Sequence, residues 1–300
     1  MQTAFNYRGR FAPSPTGSLH FGSLVTAVGS YLETRQHDGT WLVRMEDLDT
    51  MRNVPGAADD ILHTLEYFGL HSDEPVIYQS QRTEAYRESL KILQDSGMVY
   101  PCVCSRKEIA DSAVLGMDGQ IYPGMCRNAL EQGRLARSWR VRTNAEVIEI
   151  NDAVQGHFAQ SLENQVGDFV VLRADGMFAY QLAVVVDDAF QGITHVVRGA
   201  DLLTSTPRQI YLQRLLDLVT PAYTHLPIAV NTQGEKLSKQ TLAPPVDIRQ
   251  PGILLLRALA FLDQQPPAEL AGYDLATIWD WALANWNVSK LYGVRTLTAD

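Results

Sequence analysis

The sequence predicts an α/β protein with a Rossmann-like parallel sheet, an inserted cysteine-bearing subdomain and a short helical C-terminal part. Three observations carry that expectation. A strand, a proline- and glycine-punctuated loop, a helix and a second strand follow one another over residues 7–45. A loop-rich interruption from Tyr100 to Gly133 holds all the cysteines, and the pattern after Pro251 is helical to about Asn285.

Taken in order, Tyr7 to Phe11 reads as a short strand that runs into a loop marked by Pro13, Pro15 and Gly17. A helix starting near His20 or Gly22 carries Leu24, Val28 and Leu32 at a spacing that places them on one apolar face. Thr40 to Met45 is apolar and β-branched and forms the next strand, which completes a βαβ unit suited to a nucleotide. Helical patterns follow at about 55–68 and 81–96, separated by the Pro75 loop. Asp175 and Gly176, between Phe169–Arg173 and Met177–Tyr180, signal a hairpin. Beyond it come the apolar run Leu182–Asp188, a strand Thr194–Val197, a helix from about Pro207 to Val219 and a strand Leu226–Val230. Pro244, Pro245 and Pro251 mark a boundary. The expected organisation is therefore 1–99 as the first half of the α/β domain, 100–133 as the insertion, 134–250 as the second half and 251–300 as the helical end.

Composition narrows the function classes. The chain of 300 residues is 46% hydrophobic and 20% charged, which excludes disorder. Its longest nearly apolar stretches, Phe178–Val186 and Gly252–Leu262, are interrupted by Gln181 and Arg257 and fall far short of the roughly 20 residues a membrane span needs. No membrane partner is expected. Three cysteines, two of them Cys102 and Cys104, argue against a disulfide framework and for a reducing, cytoplasmic setting. The net charge of -9 speaks against nucleic acid, yet residues 1–32 hold no Asp or Glu. Arg127, Arg134, Arg137, Arg140 and Arg142 form a second basic stretch, which leaves room for local phosphate contacts.

Two segments carry the chemistry: Arg10-Phe-Ala-Pro-Ser-Pro-Thr-Gly-Ser-Leu-His-Phe-Gly-Ser23, and Lys236-Leu-Ser-Lys-Gln240. In the first, two prolines stiffen the loop, Gly17 and Gly22 admit a phosphate ester to the backbone, and His20 stands at a helix start where free N–H groups favour anions. In the second, two lysines sit in a stretch, 236–246, without an acid, as suits a loop that neutralises charge on a phosphoryl group. Either segment alone is ordinarily a loop and nothing more; their joint occurrence is the informative fact.

The pair resembles the His-Ile-Gly-His and Lys-Met-Ser-Lys-Ser motifs of class I aminoacyl-tRNA synthetases. Within that family it resembles the glutamyl subgroup, supported by Val43-Arg-Met-Glu-Asp-Leu-Asp49, Val184-Val-Val-Asp-Asp188 and Val197-Arg-Gly-Ala-Asp201, over residues 6–245. Ser23 replaces the second histidine of the first motif, and Leu237 and Gln240 depart from the second. The resemblance implies that Arg10, Phe11, Ala12, Pro13 and Ser14 hold the substrate glutamate, with Arg10 suited to a carboxylate. Glu46 would take the α-ammonium, while Tyr180 and Arg198 would line the amino-acid pocket, Arg198 at the side-chain carboxylate. His20, Gly22 and Lys239 would contact ATP with its Mg²⁺, and His20, Lys236 and Lys239 would act in catalysis. Without the neighbouring motif words, Glu46 and Arg198 would read as ordinary strand-end charges and Tyr180 as a core aromatic.

Cys102, Cys104 and Cys126 within one loop-rich segment suit a structural Zn²⁺, which takes four closed ligands. The resemblance implies Tyr122 as the fourth. Leu275, Ile278, Trp279, Trp281 and Trp286 are spaced as a helix that packs back on the catalytic body rather than as a base-stacking platform. The length covers that body and leaves too little for a helical anticodon-binding region. The whole resembles the shortened members of the glutamyl subgroup. It implies a monomeric ligase that activates glutamate without tRNA and transfers it to the queuosine base in the anticodon loop of tRNA(Asp). The rival expectations are a truncated synthetase charging a tRNA 3′ end and a non-catalytic paralogue that binds glutamate or its adenylate.

Overall fold

In the computed structural model, which describes residues 7–112, 114–116, 119–130, 133–237 and 244–299, β1 (Arg8–Phe11) and β2 (Thr40–Met45) are joined by α1 (Phe21–Gln36). The strands are parallel, with Arg8 opposite Thr40 and Phe11 opposite Val43. After α2 (Ala57–Tyr67), β3 (Ile77–Tyr78) adds in parallel to β2. The βαβ unit therefore stands where the sequence predicts it.

From α3 (Thr83–Asp95) the chain enters β4 (Val99–Cys102), α4 (Arg106–Ser112) and the small antiparallel pair β5 (Val114–Gly116) and β6 (Gly119–Ile121). It returns through β7 (Ser138–Val141), the hairpin β8 (Val147–Asp152) and β9 (Gly156–Ser161), the single turn α5 (Leu162–Gln165) and β10 (Val170–Leu172). Strands β4 and β10 flank β7, both antiparallel to it.

The parallel pattern then resumes. α6 (Tyr180–Phe190) leads to β11 (His195–Gly199), α7 (Thr206–Leu215) and β12 (Ala222–Leu226), which is parallel to β11. The Thr194 N–H donates to Arg8 O (3.0 Å), which sets this pair beside β1. β13 (Ile228–Val230) follows, and α8 (Pro251–Phe261), α9 (Leu275–Asn285) and β14 (Thr296–Thr298) close the chain. Among the described residues no helix is long and apolar enough to cross a membrane.

Strand alternation divides the interior in two. Phe11, Trp41, Val43, Met45 and Val197 point to one face and pack with Leu24, Val28 and Leu32 of α1, Leu255 and Leu259 of α8, and Ile278 and Trp279 of α9. Leu42 and Val196 point to the other face and pack with Tyr86 of α3, Leu182 and Val185 of α6, and Ile210 of α7. Each fully buried Leu or Val contributes roughly 1.5–3 kcal/mol, so helices cover both faces, as a parallel sheet requires. Arg10, Arg44 and Arg198 alternate with these apolar residues and emerge on the α6 face.

The tryptophan expectation holds. Trp279 and Trp286 are buried in the α1 core, the indole N–H of Trp279 donating to Phe68 O (2.8 Å) and that of Trp286 to Glu33 Oε2 (2.6 Å). The basic stretch engages the protein's own groups in part. Arg127 bonds Thr143 O (2.5 Å), Arg134 pairs with Glu108 (2.9 Å), and buried Arg140 bonds Asp168 O (2.7 Å). Three of its five arginines are thus spent on the protein's own acceptors.

Candidate active site

The strands β1, β2 and β11 end side by side, and a cleft of about 800 Å³ opens beyond their C-terminal ends. This is where open parallel sheets bind ligands, because the chain leaves the sheet there in loops and helix starts. The segments that sequence alone could only name separately meet here. Arg10, Phe11, Ala12, Pro13, Ser14, His20, Gly22, Glu46, Tyr180, Arg198 and Lys236 all line the cleft. Lys239 lies outside the described residues. The ring of Phe11 stacks on Trp41 in the core, with centroids 6.5 Å apart.

The first motif loop is tied down by its backbone. Pro13 O accepts from Glu46 N–H and Pro15 O from Val54 N–H (2.9 Å each), while Gly17, at φ 131°, makes a turn that a side chain would strain. His20 caps α1, accepting at Nδ1 from Ser23 N–H (3.3 Å), and Ser23 Oγ stands 3.1 Å from Nε2. Ser23, the departure from the motif, thus holds the remaining histidine by both ring nitrogens.

The second motif approaches from β13. Gly22 lies between the two segments: a Cβ there would stand 3.4 Å from the His20 ring and 3.5 Å from Leu237 O, in ordinary contact with both. Leu237 N–H donates to Ala229 O (2.8 Å), Val246 N–H to Leu19 O (2.9 Å), and His20 pairs with Pro245. The Lys236 ammonium meets Asp201 Oδ2 at 2.5 Å.

The floor is a buried charge network that sequence reasoning missed. Asp188 at the end of α6 accepts from Arg10 Nε (3.1 Å) and from Arg44 Nη1 (2.7 Å), and Arg44 Nη2 reaches Glu46 Oε1 (3.2 Å). Burial acts to raise the Asp188 carboxyl, but Arg10 and Arg44 outweigh it and hold it below the usual range. Glu46 goes the other way: burial raises it, and Arg44 and Arg10 offset that only in part. It is a buried carboxyl short of positive charge. The available signal was the adjacent pair Asp187-Asp188 closing an apolar run, and Arg44 two residues before Glu46. Neither says which strands it will meet.

On the opposite wall Arg198, 4% exposed, donates from Nε to His225 Nε2 (3.0 Å) and from Nη2 to Thr206 Oγ1 (2.7 Å), while Nη1 lies 3.4 Å from Tyr180 Oη. Five basic side chains (Arg10, Arg52, Arg173, Arg198, Lys236) line the cleft against three acidic ones (Glu46, Asp49, Asp201). The site is therefore positive on a chain whose net charge is -9. Such a cleft can hold anions and one ammonium together.

Apart from the cleft, the sulfurs of Cys102, Cys104 and Cys126 lie within 4.8 Å of one another, a group that could hold a metal ion. Tyr122 Oη stands 3.4 Å from both Cys102 Sγ and Cys104 Sγ, and Cys104 Sγ is 3.4 Å from Cys126 Sγ. A tetrahedral site with Zn–S bonds of about 2.3 Å places its sulfurs about 3.8 Å apart, close to what is seen. Burial raises Cys102, but Tyr122, the Cys104 N–H and Arg140 bring it down to about 7. Burial and then hydrogen bonding with the surrounding thiols push the Tyr122 phenol above its ordinary value.

The family model described as tRNA synthetases class I (E and Q), catalytic domain, matches residues 6–252. A protein of Dechloromonas aromatica named glutamyl-Q tRNA(Asp) synthetase is 61% identical over 282 residues, covering 93% of this chain and 94% of that one. One of the same name from Chromobacterium violaceum is 56% identical, covering 95% of each. Among solved structures, a glutamate tRNA ligase of Elizabethkingia meningosepticum in complex with its amino acid superposes with a TM-score of 0.78 at 22% identity, over 98% of this chain and 67% of that one. The last comparison speaks for the fold alone.

Proposed function

Because the chain belongs to the class I aminoacyl-tRNA synthetases, in the glutamyl and glutaminyl branch, and is a ligase of that type, we propose that it activates glutamate with ATP and passes it to queuosine of tRNA(Asp). One observation carries the first step: Arg10, Glu46 and Arg198 stand in the same cleft as His20 and Lys236. Arg198 and Tyr180 receive the side-chain carboxylate and Glu46 the α-ammonium, whose charge supplies what that buried carboxyl lacks. ATP lies along the start of α1, with its phosphates toward His20, Gly22 and the Lys236–Gln240 segment.

A glutamate α-carboxylate oxygen attacks the α-phosphorus, the bond to the bridging oxygen breaks, and pyrophosphate leaves. The protein supplies no nucleophile. It holds two anionic substrates in line and offsets the charge that grows on the phosphoryl oxygens. Mg²⁺ brought in with ATP would help offset the phosphate charge. In the second step a hydroxyl of the cyclopentene ring of queuosine attacks the acyl carbon and AMP departs. Activation precedes tRNA binding in this reading. The acceptor rests on the names of the relatives.

The deciding experiment supplies ATP, labelled glutamate and tRNA with or without queuosine, then maps the label by nuclease digestion. The expected result is label on an anticodon-loop nucleotide and only with queuosine present. Label on a terminal ribose would mean conventional charging, and no glutamate-dependent ATP–pyrophosphate exchange would mean a protein that binds glutamate without using it.

The cysteine cluster is read as a structural zinc site with Cys102, Cys104, Cys126 and Tyr122 as ligands. When bound, zinc would cross-link β4 to the loop after β6, where the described residues of the segment form only a small apolar cluster. Metal analysis of the purified protein should find about one equivalent of zinc, and Cys126→Ser should lower both that content and resistance to proteolysis of residues 100–137. A metal-free protein, equally resistant, would remove the site.

A further inference from the structure

Behind Arg198 lies a buried pair, Asp152 and His225, that is not itself part of the cleft lining. His225 on β12 stands opposite Arg198 on β11 in the parallel register, which turns both side chains to the same face. Its Nδ1 meets Asp152 Oδ2 at 2.6 Å, and both residues are buried to 4% exposure or less. Asp152, at the end of β8, can only accept when ionised, so the His225 proton sits on Nδ1 and the Nε2 lone pair faces Arg198 Nε–H at 3.0 Å. Asp152 Oδ1 is itself fixed by the N–H groups of Val154 (3.0 Å), Gln155 (2.8 Å) and His225 (3.1 Å). Thr206 Oγ1 takes the Nη2 side of the same guanidinium (2.7 Å).

We propose that Asp152 and His225 are positioning residues that aim Arg198 and thereby set recognition of the glutamate side chain. This inference rests on the reading of the cleft as a glutamate-activating site. The chemistry is specific. A guanidinium has five donors in a rigid fork, and engaging Nε and one face of Nη2 from behind leaves the Nη1 end for a carboxylate. A second donor at the Nε2 position would instead repel the guanidinium and turn it. Burial, with Arg198 adding to it, brings the His225 imidazole down to about 4, so it stays a neutral acceptor at neutral pH.

Two variants separate aiming from mere packing. His225→Asn retains a donor toward Asp152 but presents no acceptor to Arg198; His225→Gln reaches the Nε2 position with its amide oxygen and slackens the Asp152 side. In ATP–pyrophosphate exchange, His225→Asn should raise the glutamate KM by about tenfold or more, the cost of a lost bond to a charged group, with the ATP KM within about twofold of the parent. His225→Gln should recover most of that loss. In an Arg198→Ala background, His225→Asn should add nothing further. Equal losses in the two single variants, an ATP KM that rises in step, or penalties that multiply with Arg198→Ala would overturn the proposal. A parent protein without glutamate-dependent exchange would instead sink the reading beneath it.

Discussion

Replacing Lys239 by alanine should lower glutamate-dependent ATP–pyrophosphate exchange by about two to three orders of magnitude, the loss typical when one preorganised group stops meeting transition-state charge. Glutamate affinity, measured by calorimetry, should stay within about twofold. The asymmetry follows from where the charge is. In the proposed reading glutamate is held by Arg10, Glu46 and Arg198 at the strand ends, whereas Leu237 and Pro245, on either side of the segment that contains Lys239, stand beside Gly22 and His20. In that reading the Lys239 ammonium acts on phosphate oxygens, and mainly as the α-phosphorus becomes five-coordinate. Lys236 is held by Asp201 at the cleft wall. Equal loss of glutamate binding and rate would show that Lys239 shapes the pocket rather than the transition state.

How much of this was legible beforehand depended on the range over which each signal acts. The unit from β1 to β2 was written locally, in the prolines and Gly17, in the four-residue spacing of Leu24, Val28 and Leu32, and in a β-branched strand. Leu226–Val230, expected as one strand, is broken into β12 and β13, because Pro227 has no N–H to continue a ladder. The Asp175–Gly176 turn forms, with Gly176 at φ 84°, but Met177–Tyr180 makes only the bridge of Phe178 to Leu172, since Tyr180 already opens α6. β14 pairs with β13, a partner far away in the chain, and nothing local in Thr296–Thr298 announces it. In the site the same division holds. Motif words located the residues that touch the cleft; the groups behind them, Asp188, Arg44, His225 and Asp152, acquire their roles only when strands far apart in sequence lie side by side.

Asp188→Ala should have the largest effect on stability of any single change around the cleft. The carboxylate is the shared partner of two buried guanidiniums, Arg10 at 3.1 Å and Arg44 at 2.7 Å, whose side chains are 3% and 0% exposed. Removing it takes from Arg10 its carboxylate partner and leaves Glu46 as the remaining carboxylate on Arg44, a change that costs about 3–5 kcal/mol where a buried pair is broken from one side. The urea midpoint should fall accordingly. Glutamate activation should fail even where the variant stays folded, because Arg10 and Glu46 lose the anchor between them. Asp188→Asn keeps an acceptor and should lose less. The sign of the pH dependence is fixed by the depressed carboxyl: its stabilisation is present above the unfolded value of about 3.9 and fades as pH falls through the folded value. The gap between the parent and Asp188→Asn should therefore be constant at neutral pH and close only in acid. A variant as stable as the parent, with an unchanged glutamate KM, would mean that Arg10 and Arg44 find other acceptors and that the network is not what shapes the floor.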